Sequence, residues 1–115
     1  MRKILGFSSF ALILSSCGMT EMIGKINEMT NIIKSNCDCD DVKLLSYEDN
    51  MMGTITGYFE IIGSDIEKHN DIANNINNSL KKNITDFCNI DELTLDFINK
   101  GNHHKINIQN CEIKK

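Results

Sequence analysis

Between residues 19 and 34 apolar side chains recur at spacings of three and four, at Met19, Met22, Ile23, Ile26, Met29, Ile32 and Ile33. That spacing predicts an amphipathic helix. Gly24 inside it costs about 1 kcal/mol of helix propensity. Residues 42–48 read as a short strand, and Asp49-Asn50-Met51-Met52-Gly53 as the turn that follows. Residues 54–62 then alternate, with Ile55, Phe59 and Ile61 on one side and Thr54, Thr56, Tyr58 and Glu60 on the other. Such alternation marks a strand with one covered face and one wet face.

Helical spacing returns at Ile66, His69, Ile72, Ala73, Ile76, Leu80 and Ile84. Ser64-Asp65-Ile66-Glu67 precedes it and has the form of a capping box, in which Ser64 accepts from the Glu67 amide and the Glu67 carboxylate reaches back. The outer face of this helix is mostly asparagine, with Lys81 and Lys82 near the C-terminus, where cations suit the helix dipole. Leu93, Leu95 and Phe97 alternate with Thr94, Asp96 and Ile98, a turn falls at residues 100–103, and residues 104–113 read as one returning strand with Ile106 and Ile108 inward. The expected order is helix-β-β-helix-β-β. It describes a two-layer α+β domain with one or two helices packed on one face of a four-stranded, mostly antiparallel sheet. A faint internal echo sets Cys37, Asp40, Asp41, Val42 and Leu44 against Cys88, Asp91, Glu92, Leu93 and Leu95 at constant offset.

The first seventeen residues follow a different rule. Arg2 and Lys3 precede a short apolar run broken by Ser8 and Ser9, and the run ends in Leu14-Ser15-Ser16-Cys17. Charge, apolar core and small residues in that order make a secretory signal peptide, and the run falls short of the ~20 apolar residues that span a bilayer. The Leu14–Cys17 tail resembles the lipobox of bacterial lipoproteins. The resemblance covers these seventeen residues alone. It implies cleavage before Cys17 and a thioether-linked lipid on its sulfur, with two or three acyl chains giving lasting attachment. The expected layout is a signal peptide at 1–16, a lipidated N-terminus and amphipathic helix at 17–36, and a small α+β domain at 37–115. Gly18, by analogy with the Gram-negative sorting rule in which Asp at that place retains a lipoprotein, points to the outer membrane of the cell envelope.

Charge narrows the field further. The formal charge of −4 becomes −6 once Arg2 and Lys3 are removed, and no Lys/Arg cluster exceeds a pair. This argues against nucleic acid as a partner, since its binders need a basic face to displace phosphate counterions. The leading reading of the 19–33 stripe is packing on the domain's own sheet, with a membrane surface or a docked partner as its alternatives.

Four cysteines remain besides Cys17, an even number in a compartment that permits oxidation. If the last two strands form a hairpin, Cys111 roughly faces Glu92 and Cys88 lies just before that strand. A Cys88–Cys111 disulfide is therefore expected at the hairpin's open end, opposite Cys37 and Cys39. Those two must then pair with each other, stay reduced or bind something. Cys37 and Cys39 could form a redox-active Cys-x-Cys pair, or hold zinc or copper(I) with Asp38, Asp40 and Asp41 beside them. Structural zinc sites favour wider cysteine spacing, and the aspartates lack the glycine and closing glutamate of a calcium loop. The aspartates also fit a solvated linker. His69 reads as a core or boundary histidine, and His103 and His104 as solvated turn residues.

No nucleophile elbow, phosphate loop or metalloprotease helix is present. No catalytic residue and no cofactor beyond the covalent lipid on Cys17 is expected. The sequence thus points to a membrane-anchored, non-enzymatic interaction or accessory module that holds a protein partner in the envelope. A redox or metal-binding lipoprotein working through Cys37 and Cys39 is the alternative.

Overall fold

The computed structural model describes residues 10–50 and 53–114, with side chains from residue 23 onward. Met51 and Met52 of the expected turn lie outside the described residues. Two helices and five strands follow as α1 (Phe10–Asn36), β1 (Asp41–Asp49), β2 (Ile55–Ile62), α2 (His69–Asn83), β3 (Glu92–Asn99), β4 (Asn102–Gln109) and β5 (Glu112–Lys114). The strands make one sheet in the order β1-β2-β3-β4-β5. The α+β class stands, and the helix-β-β-helix-β-β order holds through β4, but two details of the sheet differ from expectation.

First, the central pair β2 and β3 is parallel, with Phe59 beside Leu95 and Ile61 beside Phe97, so the sheet is mixed. The cause is α2, which carries the chain from the end of β2 back to the start of β3; a strand entered from that side runs beside its neighbour in the same direction. Second, the single strand expected over 104–113 is two. Asn110 and Cys111 both take positive φ, 48° and 60°, the signature of a two-residue primed turn whose twist suits a tight hairpin. β5 therefore doubles back on β4, and the sheet gains a fifth strand.

Alternation places the core as expected. Phe59 and Ile61 of β2, Leu93, Leu95 and Phe97 of β3, and Ile106 and Ile108 of β4 are buried on one face. Against them lie Ile72, Ala73, Ile76 and Leu80 of α2 and Met29 and Ile33 of α1. The 19–33 stripe packs on the domain only in part, however. Met29 and Ile33 are buried, Ile26 is half-buried, and Ile23 is 53% exposed.

The entry to α2 corrects the expected capping box. Asp65, not Ser64, is the cap: its Oδ1 accepts from the Glu67 amide at 3.1 Å and starts a single 3-10 turn, Ile66–Lys68, before α2 begins at His69. Ser64 is fully buried and its hydroxyl donates to the Cys37 carbonyl at 2.9 Å. The chain leaves β2 beneath the end of α1, so the hydroxyl meets that buried acceptor. Ile66, expected on the inner stripe, is turned outward and 54% exposed. Gly63 makes the bend possible. Its φ is +90°, and a Cβ there would run into the Asp40 side chain, so no L residue fits without strain.

Candidate functional site

Cys17 falls within α1, but its side chain lies outside the described residues. The other four cysteines form two pairs. Cys88 and Cys111 stand with Cα atoms 4.6 Å apart, and Cys37 and Cys39 with theirs 5.1 Å apart. Both separations lie inside the ~4.4–6.8 Å that a disulfide requires. The pairs sit at opposite ends of the sheet. Asp40 donates its amide to the Ile62 carbonyl at the Cys37–Cys39 end, whereas the Asn110 amide reaches the Ile90 carbonyl at the Cys88–Cys111 end. One detail of the hairpin argument changes, because Leu93 lies opposite Ile108. Cys111 therefore occupies the β4–β5 turn instead of facing Glu92.

Cys37 is buried and Cys39 half-buried. Asp38 and Asp40 beside them are exposed, and Lys68 reaches Asp38 at 3.9 Å. Among the described residues no group of three or more His, Cys, Asp or Glu could hold a metal ion.

A denser constellation lies on the face of the sheet away from both helices, which no described element covers. Asp96 projects from the middle of β3 on the side away from the helices, yet it is only 2% exposed. Neighbouring side chains hide it. The Tyr58 hydroxyl of β2 donates to Asp96 Oδ2 at 2.7 Å, and His103 Nδ1 of β4 lies 3.0 Å from the same oxygen and 3.2 Å from the other. The Lys105 ammonium sits 5.6 Å from the centre of the Tyr58 ring, a cation–π arrangement. Beside it Thr94 donates to the Asn107 amide oxygen at 3.0 Å.

Burial alone would raise the Asp96 pKa. Hydrogen bonds from His103 and Tyr58, with the positive charges of His103 and Lys105, outweigh it and hold the carboxyl below its ordinary range. Tyr58 moves the other way. Its hydroxyl is bonded to that carboxylate, so its pKa is raised, and burial adds to the effect. The Asp96 carboxylate accepts only, so His103 must present Nδ1–H to it. The ring's Nε2 is left to face solvent from a side chain 52% exposed.

The second histidine cluster faces inward. His69 is 1% exposed and stacks on Phe97 with ring centres 4.3 Å apart. Its Nε2 lies 3.3 Å from the Ser64 carbonyl, and its Nδ1 lies 3.2 Å from Nδ1 of His104. With Nε2–H donating to the carbonyl, the neutral ring accepts at Nδ1 and His104 donates. Burial, the largest influence, pushes the His69 pKa down.

His69 is thus the core histidine that its position implies. His103 and His104 are not turn residues: they belong to β4 and serve opposite faces of the sheet. Sequence reading passed over Asp96 and Tyr58 as members of a site. The only local signal is a carboxylate in the middle of a strand, since nothing in one sequence joins residues 38 positions apart. Compared with known proteins, the chain matches no family model, no curated protein and no solved structure.

Proposed function

We propose that the chain is a bacterial envelope lipoprotein, cleaved before Cys17 and lipidated on it, whose domain is a non-enzymatic interaction module. The uncovered sheet face presents Tyr58, His103 and Lys105 to a protein partner. The observation that carries this reading is the buried Asp96 on an otherwise open face. A carboxylate there does nothing for the core; it fixes an aromatic and an imidazole in one arrangement before any partner arrives. Tyrosine is enriched among residues that dominate interface energies, and side chains fixed in advance lose less entropy on binding.

The anchor rests on the lipobox-like segment that ends at Cys17, and the outer-membrane location on Gly18. The lipid is the only non-protein group assigned. The alternative, a redox or metal-binding lipoprotein working through Cys37 and Cys39, rests on the pairing of those two cysteines alone.

Two measurements test the proposal. A clickable fatty acid fed to a bacterial host should label the wild-type chain and leave Cys17→Ser unlabelled; an unlabelled wild type removes the anchor. A photo-crosslinking residue in place of Thr94, on the open face, should give a discrete membrane adduct that disappears in Tyr58→Ala. The same residue in place of Asn75, on the outer side of α2, should give none. Equal adducts from both positions would count against the open face.

A further inference from the structure

β5 is shorter than the strand it covers. Among the described residues it pairs with β4 at Asn107, Ile108 and Gln109 alone, while β4 begins at Asn102 and pairs with β3 from Asn102 to Ile108. Asn99 and Asn102 flank a two-residue turn and so form a hydrogen-bonded pair, as the closing residues of such hairpins do. Alternation then assigns the backbone groups of Asn102, His104 and Ile106 to β3. The N–H and C=O of His103 and Lys105 point to the edge where, among the described residues, the register supplies no strand.

A cleft of about 480 Å³ runs beside this edge, between α2 and the end of β5. Its floor is apolar: Ala73, Ile106 and Ile113. Its wall on the helix side carries the side-chain amides of Asn70 and Asn74, and Lys105 and Lys114 close the other side. No carboxylate is among the described residues that line it. In a chain of net negative charge, that is a local reversal.

We propose that this cleft binds an extended peptide, added to the sheet as a strand antiparallel to β4 over Asn102–Lys105. This deepens the interaction-module reading by naming a second contact surface and its ligand, and it does not depend on the lipid anchor. Strand addition suits the site because a free edge supplies main-chain hydrogen bonds while alternate side chains supply selectivity. The peptide residue opposite His104 points toward α2, over the cleft floor in which Ala73 and Ile106 lie, so it is apolar. The residues opposite Lys105 and His103 point to the open face, on the side of the cleft that Lys105 and Lys114 line and no carboxylate does, so they are acidic. The recognised pattern is acidic-apolar-acidic. The other long edge, β1, is a poorer platform. Its register shifts between Leu44 and Ser46, and such bulges hinder strand addition.

The test uses the full chain in detergent micelles and a fluorescent acetyl-Thr-Glu-Val-Glu-Thr-amide probe, read by anisotropy. Lys105→Pro removes the outward N–H and leaves the bonds to β3 in place; Lys105→Ala keeps that N–H and removes the side-chain charge. The proline variant should bind about tenfold more weakly than the alanine variant, the effect of one lost hydrogen bond. A probe with Lys in place of both Glu should bind more weakly to wild type. Amide hydrogen exchange guards against misfolding of the proline variant: in wild type the probe should slow exchange at His103 and Lys105 and leave His104 and Ile106 unchanged. No binding at millimolar probe, or protection confined to residues elsewhere, overturns the groove. Probe shifts at Tyr58 and Thr94 without edge protection would overturn the groove and leave the open-face reading standing.

Discussion

Replacing Asp96 tests the open-face constellation most directly. Asp96→Ala removes two charge-assisted hydrogen bonds, from Tyr58 at 2.7 Å and His103 at 3.0 Å, each worth about 1.5–3 kcal/mol. Relief of the carboxylate's desolvation, several kcal/mol in effect, offsets part of that loss. Water can reach Tyr58 and His103 afterwards, so neither is left a buried orphan. The expected net loss is about 2 kcal/mol, or ~10 °C in Tm for a domain of this size.

The sign with pH follows from the lowered pKa. The stabilisation is fully present above the ordinary carboxyl value of about 3.8 and is lost as pH falls through the lower folded value. Urea unfolding at pH 7 should therefore separate wild type from Asp96→Ala, and the gap should narrow as pH falls below about 3.8. A second readout isolates the hydrogen bond: ultraviolet titration of Asp96→Asn should move one of the two tyrosines, Tyr58, back toward its ordinary value while Tyr47 stays raised by its own burial. Equal stability at pH 7, or a gap that widens in acid, would refute the arrangement.

Ser64→Ala should cost about 1–3 kcal/mol by leaving the buried Cys37 carbonyl without its donor, with no loss of helix by circular dichroism; a loss of helix would restore Ser64 as the cap. Burial pushes the His69 pKa down, so its contribution is complete above its ordinary pKa of about 6.5 and declines as pH falls through its lowered value. Unfolding midpoints between pH 7.5 and 5.5 should show that decline in wild type and not in His69→Leu, and parallel profiles would contradict a buried neutral ring. Non-reducing peptide mapping should link Cys88 to Cys111 and Cys37 to Cys39, and Cys88→Ser with Cys111→Ser should cost about 3 kcal/mol in the chain-entropy model. A peptide joining Cys37 to Cys88 would overturn the topology.

Local pattern was enough for both helices and the first four strands, though not for the turn that separates β5 from β4. Alternation at Ile55, Phe59 and Ile61, and again at Leu93, Leu95 and Phe97, reported which sides are covered, because side chains of a strand must point alternately into the core and away from it. The spacing of Ile72, Ala73, Ile76 and Leu80 did the same for α2. These are short-range constraints carried by neighbouring residues. The opposite placement of the two cysteine pairs could also be argued from sequence, since a helix that runs back along the sheet after β2 starts the next hairpin at the far end and a strand of eight residues spans ~25 Å.

Tertiary structure decided what depends on residues far apart in the chain. The parallel pairing of β2 with β3 follows from where α2 delivers the chain, which periodicity within α2 does not encode. Ser64 has the sequence of a cap, but a buried carbonyl 27 residues away claimed its hydroxyl. Asp96 obeys the outward alternation of its strand and is nevertheless buried, because Tyr58 and His103 from the two adjoining strands close over it. Sequence periodicity records which way a side chain points; whether water reaches it depends on the side chains that other strands place around it.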